Sequence, residues 1–462
     1  MSQNDKLFRR SAVLLLIMLL AATLRLSLLG SKSLWFDEAY SVVESSYTQE
    51  KIWVSEPHRT DSHPPLYYSG LYYWEKEFGA SEFSVRLPSS FVSIISIGLL
   101  YLLAQRLFGT SVALVSAALL AVSPLDIWYA QEARMYIFMA AIILLAANLI
   151  LWDSWWSVIP LSIVLACGLY MDYTMLPLWI GLSAIWFAWW WSKNRSLNSL
   201  AMWLLASLLA FVFFLPWFDT FMEWLDRFNE VTFYLRLSDT MGLPELSAWS
   251  YILLAILGGA AAIPLISCLI PLLNRPESRR WITILVLVGF ILANIFFILP
   301  RFYSLKRLIV QAWPLVILFT AWLIVKSPRK LELSTVLIAV SLLASLVSLL
   351  FVGKDDWRSS TAYINENSSM DDVVILQHAW NRMATNYYDL NPKLTTKKEL
   401  ESSLSLGETS MPSTNIWYLE EHFPDQQTTA SPEQQWLDLH LELLESVHFT
   451  RIELRKYRFK AQ

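Results

Sequence analysis

Charge and cysteine are both scarce in this chain of 462 residues: 16% are charged and two are cysteine. Cys167 and Cys268 each sit inside an apolar run, which excludes a disulfide framework and a cysteine-based metal site. A basic excess is missing too. Thirty-five Lys and Arg stand against 39 Asp and Glu, a net charge of −4, so no face is basic enough to expect a nucleic-acid partner. What fills the space is apolar: 55% of residues are hydrophobic, the mean hydropathy is +0.43 and there are 23 Trp. That composition excludes the two or three soluble domains that length alone suggests, and the Trp content suits a chain with many membrane–water interfaces.

A helix crossing hydrocarbon needs about 20 apolar residues. Such runs lie near 11–30, 85–105, 110–124, 135–152, 155–171, 174–192, 198–218, 247–273, 281–299, 307–326 and 332–352, predicting about eleven spans, of which the third and fifth are short. The first follows Lys6, Arg9 and Arg10. It lacks a small-residue cleavage site and is too long for a signal-peptide core, so it reads as an uncleaved span. Connectors bearing Lys6/Arg9/Arg10, Arg106, Lys193/Arg195, Arg275/Arg279/Arg280 and Lys326/Arg329/Lys330 fall on one side, which the positive-inside rule makes cytoplasmic. The 31–84 loop, the 124–134 connector, the 171–173 turn, the 219–246 loop, the 300–306 connector and the tail then face outward. The chain shows no internal repeat of the inverted-repeat transporter kind.

The tail changes character. Residues 353–462 carry charge throughout, with apolar runs at 373–376 and 416–419, a helical pattern over Pro432–Ser446 and a Ser-rich loop over 400–414. They predict a small extracytoplasmic α/β domain after a transmembrane domain of residues 1–352.

Polar residues on the outer side form five groups. In Leu34-Trp35-Phe36-Asp37-Glu38 two carboxylates follow the first span directly. On a helix the two side chains diverge by about 100°, so one can face a cavity while the other pairs with a cation; a solvated helix start is the plainer reading. His63-Pro64-Pro65-Leu66-Tyr67-Tyr68 places a rigid break before an aromatic row. His63 offers a base or a metal ligand, but no second His stands at ligand spacing. The 123–136 segment holds Asp126, Gln131, Glu132 and Arg134 between two spans, and serves either a site or a salt bridge locking helices. Arg301, Lys306 and Arg307 put three cations where the positive-inside rule leaves few, which asks for an anion; a phosphate at this surface belongs to a lipid or a polyprenyl phosphate, and snorkelling to headgroups accounts more easily for one cation than for three. Asp355-Asp356-Trp357-Arg358 reads as a cap that anchors the tail domain.

Together these segments resemble the polyprenyl-phosphate-sugar-dependent glycosyltransferases of the GT-C superfamily, in particular the bacterial branch related to protein O-mannosyltransferases and the lipid A aminoarabinose transferase. The matching pieces run in the family's order: Arg25 leading into Trp35-Phe36-Asp37-Glu38, then His63-Pro64-Pro65-Leu66-Tyr67, Arg86-Leu87-Pro88-Ser89, Gln131 through Tyr136, Arg301 through Arg307, and Asp356-Trp357-Arg358. The resemblance implies a polytopic helical fold with interfacial helices in the first outer loop and an inverting transfer without a nucleotide donor. It implies Asp37 as the base, with Glu38 beside it, and Arg301, Lys306, Arg307 and Arg134 on the donor phosphate. Glu132, Asp126, His63 and Arg86 are further candidates. The acceptor is a lipid, glycan or protein hydroxyl, and membrane lipids surround the site, which would face outward from the inner (plasma) membrane. No cofactor is required by this reading; a divalent cation is used by some members, but no ligand set stands out here. The competing expectations are a transporter, and a ligase or polymerase of lipid-linked glycans.

Overall fold

The computed structural model describes residues 3–53, 63–193, 196–228, 303–369, 371–400, 415–422 and 431–459, with isolated positions between 275 and 292. The expected spans at 247–273 and 281–299, the 219–246 loop beyond residue 228, Arg301, Cys268 and the 400–414 loop beyond Leu400 lie outside the described residues. Two compact units emerge. The larger comprises Met1–Ser27, Gln49–Gly70 and Leu87–Leu350; the smaller comprises Leu28–Thr48, Leu71–Arg86 and Phe351–Gln462. Two pieces of the first outer loop, Leu28–Thr48 and Leu71–Arg86, thus group with the tail, beside the expected division at 352/353.

The larger unit is a polytopic α-helical membrane assembly. Its helices are α1 (Gln3–Leu26), α6 (Thr110–Ala121), α7 (Pro124–Ala130), α8 (Tyr136–Ile150), α9 (Val158–Met171), α10 (Met175–Lys193), α11 (Leu197–Phe214), α12 (Phe218–Phe228), α13 (Tyr303–Lys326) and α14 (Lys330–Phe351), with the short α3 (Gln49–Trp53), the first turn of α4 (Leu66–Phe78) and most of α5 (Glu82–Phe108). Among the described residues four helices, Glu82–Phe108, Leu197–Leu225, Lys306–Lys326 and Lys330–Phe351, are long and apolar enough to cross a membrane. The run expected to continue to residue 124 stops at Ala121 and bends by 57° into Pro124–Ala130. Proline at the first helical position starts α7, and the Ser123 hydroxyl accepts from the Asp126 amide at 3.5 Å. Leu15, Leu16 and Leu19 on α1 and Leu343 and Leu350 on α14 are exposed, as side chains bathed by lipid should be. Opposite them, Leu24, Val122, Ile127 and Leu349 close a buried cluster.

The bend is held by a buried ion pair. Arg25 Nη2 meets Asp126 Oδ1 at 2.5 Å, and Arg25 Nε donates to Ser93 Oγ at 2.6 Å, while Ser93 in turn donates to Asp126. The remaining guanidinium protons reach the carbonyls of Leu120 (3.0 Å) and Ala121 (2.9 Å), the unsatisfied acceptors at the end of α6. Asp126 Oδ1 takes both the Arg25 and the Ser93 contacts, while its buried Oδ2 has no hydrogen-bond partner among the described residues, so the pair is held mainly from the guanidinium side.

In the smaller unit, a five-stranded sheet of order β2-β1-β3-β5-β4 forms the core of the tail. Strands β1 (Val373–Leu376) and β2 (Lys393–Thr395) run parallel, as do β1 and β3 (Asn415–Glu421), whereas β5 (Ile452–Phe459) pairs antiparallel with β3 and with β4 (Leu441–Phe449). Ile375, Ile416, Tyr418, Leu437, Leu441 and Tyr457 pack its core. The helix expected over Pro432–Ser446 ends at His440; beyond it Leu441–Phe449 finds a strand partner in β5, and ladder pairing overrides the local helical pattern. Helix α15 (Trp357–Asn367) begins at Asp356, whose carboxylate accepts from the Ser359 amide at 3.1 Å, and Trp357 is fully buried. Arg358 reaches Glu82 Oε1 at 2.6 Å and the Gly30 carbonyl at 3.2 Å, so the expected cap also fastens the first-loop segments.

Candidate active site

In the smaller unit, α2 (Phe36–Ser45) carries the adjacent carboxylates in its first turn. Both are buried, Asp37 at 8% exposure and Glu38 at 0%. Glu38 takes two cations. Arg86 Nε meets its Oε1 at 2.7 Å and Arg86 Nη2 its Oε2 at 2.8 Å, while Lys354 Nζ lies 3.0 Å from Oε2. Arg86 also donates to the carbonyls of Leu29 (2.9 Å), Lys32 (2.8 Å) and Ser33 (2.9 Å). Arg86 and Glu38 therefore clamp the chain between the first span and α2.

The tail adds a second brace to α2. The Tyr388 hydroxyl accepts from the Leu34 amide at 2.7 Å, the helix α16 (Arg382–Tyr387) packs on α2, and the Phe36 and Trp380 rings lie 6.5 Å apart. Burial, and the cations Lys354, Arg86 and Arg451, push the Lys32 ammonium down to about 8.

A cationic centre forms within the larger unit. Gln131 Nε2 donates to the carbonyls of Arg25 (3.0 Å) and Ser27 (2.8 Å), filling acceptors at the end of α1 and fixing the connector that holds Glu132 and Arg134. Glu132 and Arg134 are buried, at 1% and 3%. Arg134 Nη2 lies 3.0 Å from His63 Nε2, and Nη1 lies 3.5 Å from the Tyr68 hydroxyl. From α13, Arg307 comes to the same place: the Arg134 and Arg307 guanidinium carbons each sit 5.7 Å from the centre of the Tyr136 ring. Lys306, one residue earlier, is buried at 5%. Snorkelling to headgroups does not describe a lysine enclosed by protein.

His63 and Asp172 feel this charge. Burial, then Arg134 and Arg307, hold the His63 imidazole well below its usual range. Asp172, in the turn after α9, is buried, and that burial raises its carboxyl despite the Thr174 amide at 2.8 Å and the attraction of the same two arginines. The Thr174 hydroxyl donates to Gln311 Oε1 at 2.7 Å, and Gln311 Nε2 donates to the Arg307 carbonyl at 3.1 Å, so the turn braces the first part of α13.

Residues 62–218 match the family model described as dolichyl-phosphate-mannose-protein mannosyltransferase. The archaeal oligosaccharyltransferase AglB from Archaeoglobus fulgidus, solved with an inhibitory peptide and a dolichol-phosphate, is 11% identical and aligns over 90% of this chain and 70% of its own, with a TM-score of 0.54. The apo oligosaccharyltransferase of the same organism gives 10%, 89%, 69% and 0.54. ArnT from Cupriavidus metallidurans, solved with undecaprenyl phosphate, is 13% identical over 98% of both chains, with a TM-score of 0.47. No curated protein sequence matches. Over residues 62–218 the chain is similar to the protein mannosyltransferases, and its fold is similar to that of the archaeal oligosaccharyltransferase.

In this fold the expected site residues fall into two sets. Asp37, Glu38 and Arg86 belong to the smaller unit; His63, Asp126, Glu132, Arg134, Lys306 and Arg307 belong to the larger. Asp126 is the partner of Arg25 in the bend and is separate in role from the Arg134 centre. Lys354, Asp172 and the Thr174–Gln311 bridge went unread in the sequence. A lone carboxylate in the turn between two spans was the available signal for Asp172; nothing local announced Lys354.

Glu420, His422 and Glu453 offer ligand atoms within 4.8 Å of one another. Arg455 already occupies that position, 3.0 Å from Glu420 and 2.7 Å from Glu453, and His422 is 2.9 Å from Glu453. The site is an ion-pair network whose cation is a guanidinium.

Proposed function

We propose that this chain is an inverting glycosyltransferase that moves a sugar from a polyprenyl-phosphate carrier to an acceptor hydroxyl at the outer face of the inner membrane. The observation that carries the reading is the convergence of Arg134 and Arg307 on one ring, beside buried Lys306. Two guanidinium groups beside one ring offer the forked donors that bind a phosphate through bidentate hydrogen bonds. The dolichol-phosphate bound by the A. fulgidus relative and the description of the matched family agree with it.

The chemistry is one displacement. Asp37 accepts the proton of the acceptor hydroxyl, whose oxygen attacks the anomeric carbon from the face opposite the phosphate; the anomeric C–O bond breaks and its electron pair leaves with the polyprenyl phosphate. Arg134, Lys306 and Arg307, with Arg301 in the same connector as the last two, stabilise the departing charge. Glu38 keeps α2 in place. A divalent cation on Glu38 would have to displace Arg86 and Lys354, so no step is routed through one.

Donor consumption is the test. Purified full-length protein given an undecaprenyl-phosphate hexose and native membrane lipid extract should release undecaprenyl phosphate. Movement of the intact donor across vesicles without cleavage would favour a transporter, and transfer only from lipid-linked oligosaccharides would favour a ligase or polymerase.

A further inference from the structure

His63 Nε2 sits 3.0 Å from Arg134 Nη2. A guanidinium has only donors, so Nε2 must present its lone pair, and the ring must be the neutral tautomer protonated at Nδ1. This holds from geometry alone, and the depression of the imidazole by burial and by two arginines agrees with it.

An anion bound here changes the terms. A phosphate drawn to Arg134 competes for the guanidinium protons that now point at His63. The imidazole lone pair would then face phosphate oxygens, acceptor against acceptor, unless Nε2 carries a proton, either by tautomer exchange within a neutral ring or by uptake from solvent. The phosphate charge also cancels the field of Arg134 and Arg307 that keeps the ring neutral. We propose that His63 takes up one proton when a phosphate binds the Arg134–Arg307 centre, so that the empty site is held neutral at His63 and the loaded site carries an imidazolium that donates to the phosphate. The inference rests on the phosphate reading of the centre given above.

The charged groups that act on the His63 ring are Arg134 on the connector before α8 and Arg307 on α13; Arg134 also meets the Tyr68 hydroxyl on α4, both arginines act on Asp172 in the turn after α9, and Glu132 and Lys306 are buried neighbours of these arginines in sequence. Of these, Asp172 is the rival proton acceptor, since it is buried and coupled to the same arginines. An anion would raise both groups, and only a substitution separates them.

The direction follows from linkage. Proton uptake on binding means that lower pH favours the bound state, with affinity rising by up to about tenfold per pH unit while His63 is neutral in the free protein. A phosphodiester probe isolates the protein's share because its phosphate has no proton to exchange near neutrality.

The experiment is titration calorimetry of full-length protein in micelles with farnesyl methyl phosphate at pH 7, in two buffers of different ionisation enthalpy. Wild type should take up about one proton per bound ligand. His63→Gln, which can still accept from Arg134 and donate to a phosphate, should bind with uptake near zero, and Asp172→Asn should retain the wild-type uptake. Binding by wild type without proton uptake, or uptake lost in Asp172→Asn and kept in His63→Gln, overturns the proposal while leaving the phosphate site intact. No binding by wild type overturns both.

Discussion

Arg86 and Glu38 face each other fork to fork, Nε to Oε1 at 2.7 Å and Nη2 to Oε2 at 2.8 Å, with both side chains buried. Lys354 adds a third contact to the same carboxylate. Breaking a buried pair by removing one partner typically costs about 3–5 kcal/mol, because the other charge remains desolvated. Arg86→Ala and Glu38→Ala should therefore destabilise the protein by that order, measured as the denaturation midpoint in detergent; Glu38→Gln should fall between them and wild type. Wild-type stability for Arg86→Ala would remove the clamp from the account.

The Arg25–Asp126 pair should behave in the same manner, with a milder outcome for the isostere. Asp126→Ala leaves Arg25 buried against helix-end carbonyls and should lower stability by about 3–5 kcal/mol; Asp126→Asn keeps a hydrogen-bond acceptor and should lose less. Thermal unfolding of both variants in micelles checks the order.

Acidity should steady the tail. Asp355 and Glu421 are buried and hydrogen-bonded to each other; burial raises both carboxyls above their ordinary ranges, and for Glu421 the neighbouring Asp355 adds to the effect. A carboxyl whose folded pKa is raised stabilises most below its unfolded value and loses that contribution as pH rises through the folded one. Amide exchange in β3 of the full-length protein should thus be slower, after correction for intrinsic rates, at pH 5 than at pH 8. Glu421→Gln should flatten that dependence, and an equal slope in the variant would contradict the shared-proton arrangement.

Removing a phosphate contact has a different signature. Lys306→Ala and Arg307→Ala each delete a charge-assisted contact worth roughly 1.5–3 kcal/mol, so donor binding or turnover should fall about ten- to a hundredfold. Unchanged donor kinetics in both would move the phosphate site away from α13.

Apolar runs foretold the helices well, because lipid forces each spanning segment to satisfy its own backbone. The strands at 373–376 and 416–419 were legible for their β-branched and aromatic content. What sequence hid was pairing over distance. Nothing near Glu38 indicates that its second cation is Lys354, more than 300 residues on, and the local pattern of Leu441–Ser446 suits a helix until β5 is beside it. Arg134 stood out as polar among spans, yet its meeting with Arg307 at Tyr136 depends on how α8 and α13 pack, which no local pattern encodes.

The central claim is that a carboxylate at position 37 takes the acceptor proton during transfer from a polyprenyl-phosphate sugar. The measurement is release of undecaprenyl phosphate from a radiolabelled undecaprenyl-phosphate hexose by purified wild type and Asp37→Asn, with native lipid extract as the acceptor source and with donor affinity and unfolding recorded in parallel. The account predicts turnover by wild type and a loss of about a hundredfold or more in Asp37→Asn, within the usual contribution of a general base, with donor binding and stability retained. Near wild-type turnover by Asp37→Asn at saturating donor would contradict it.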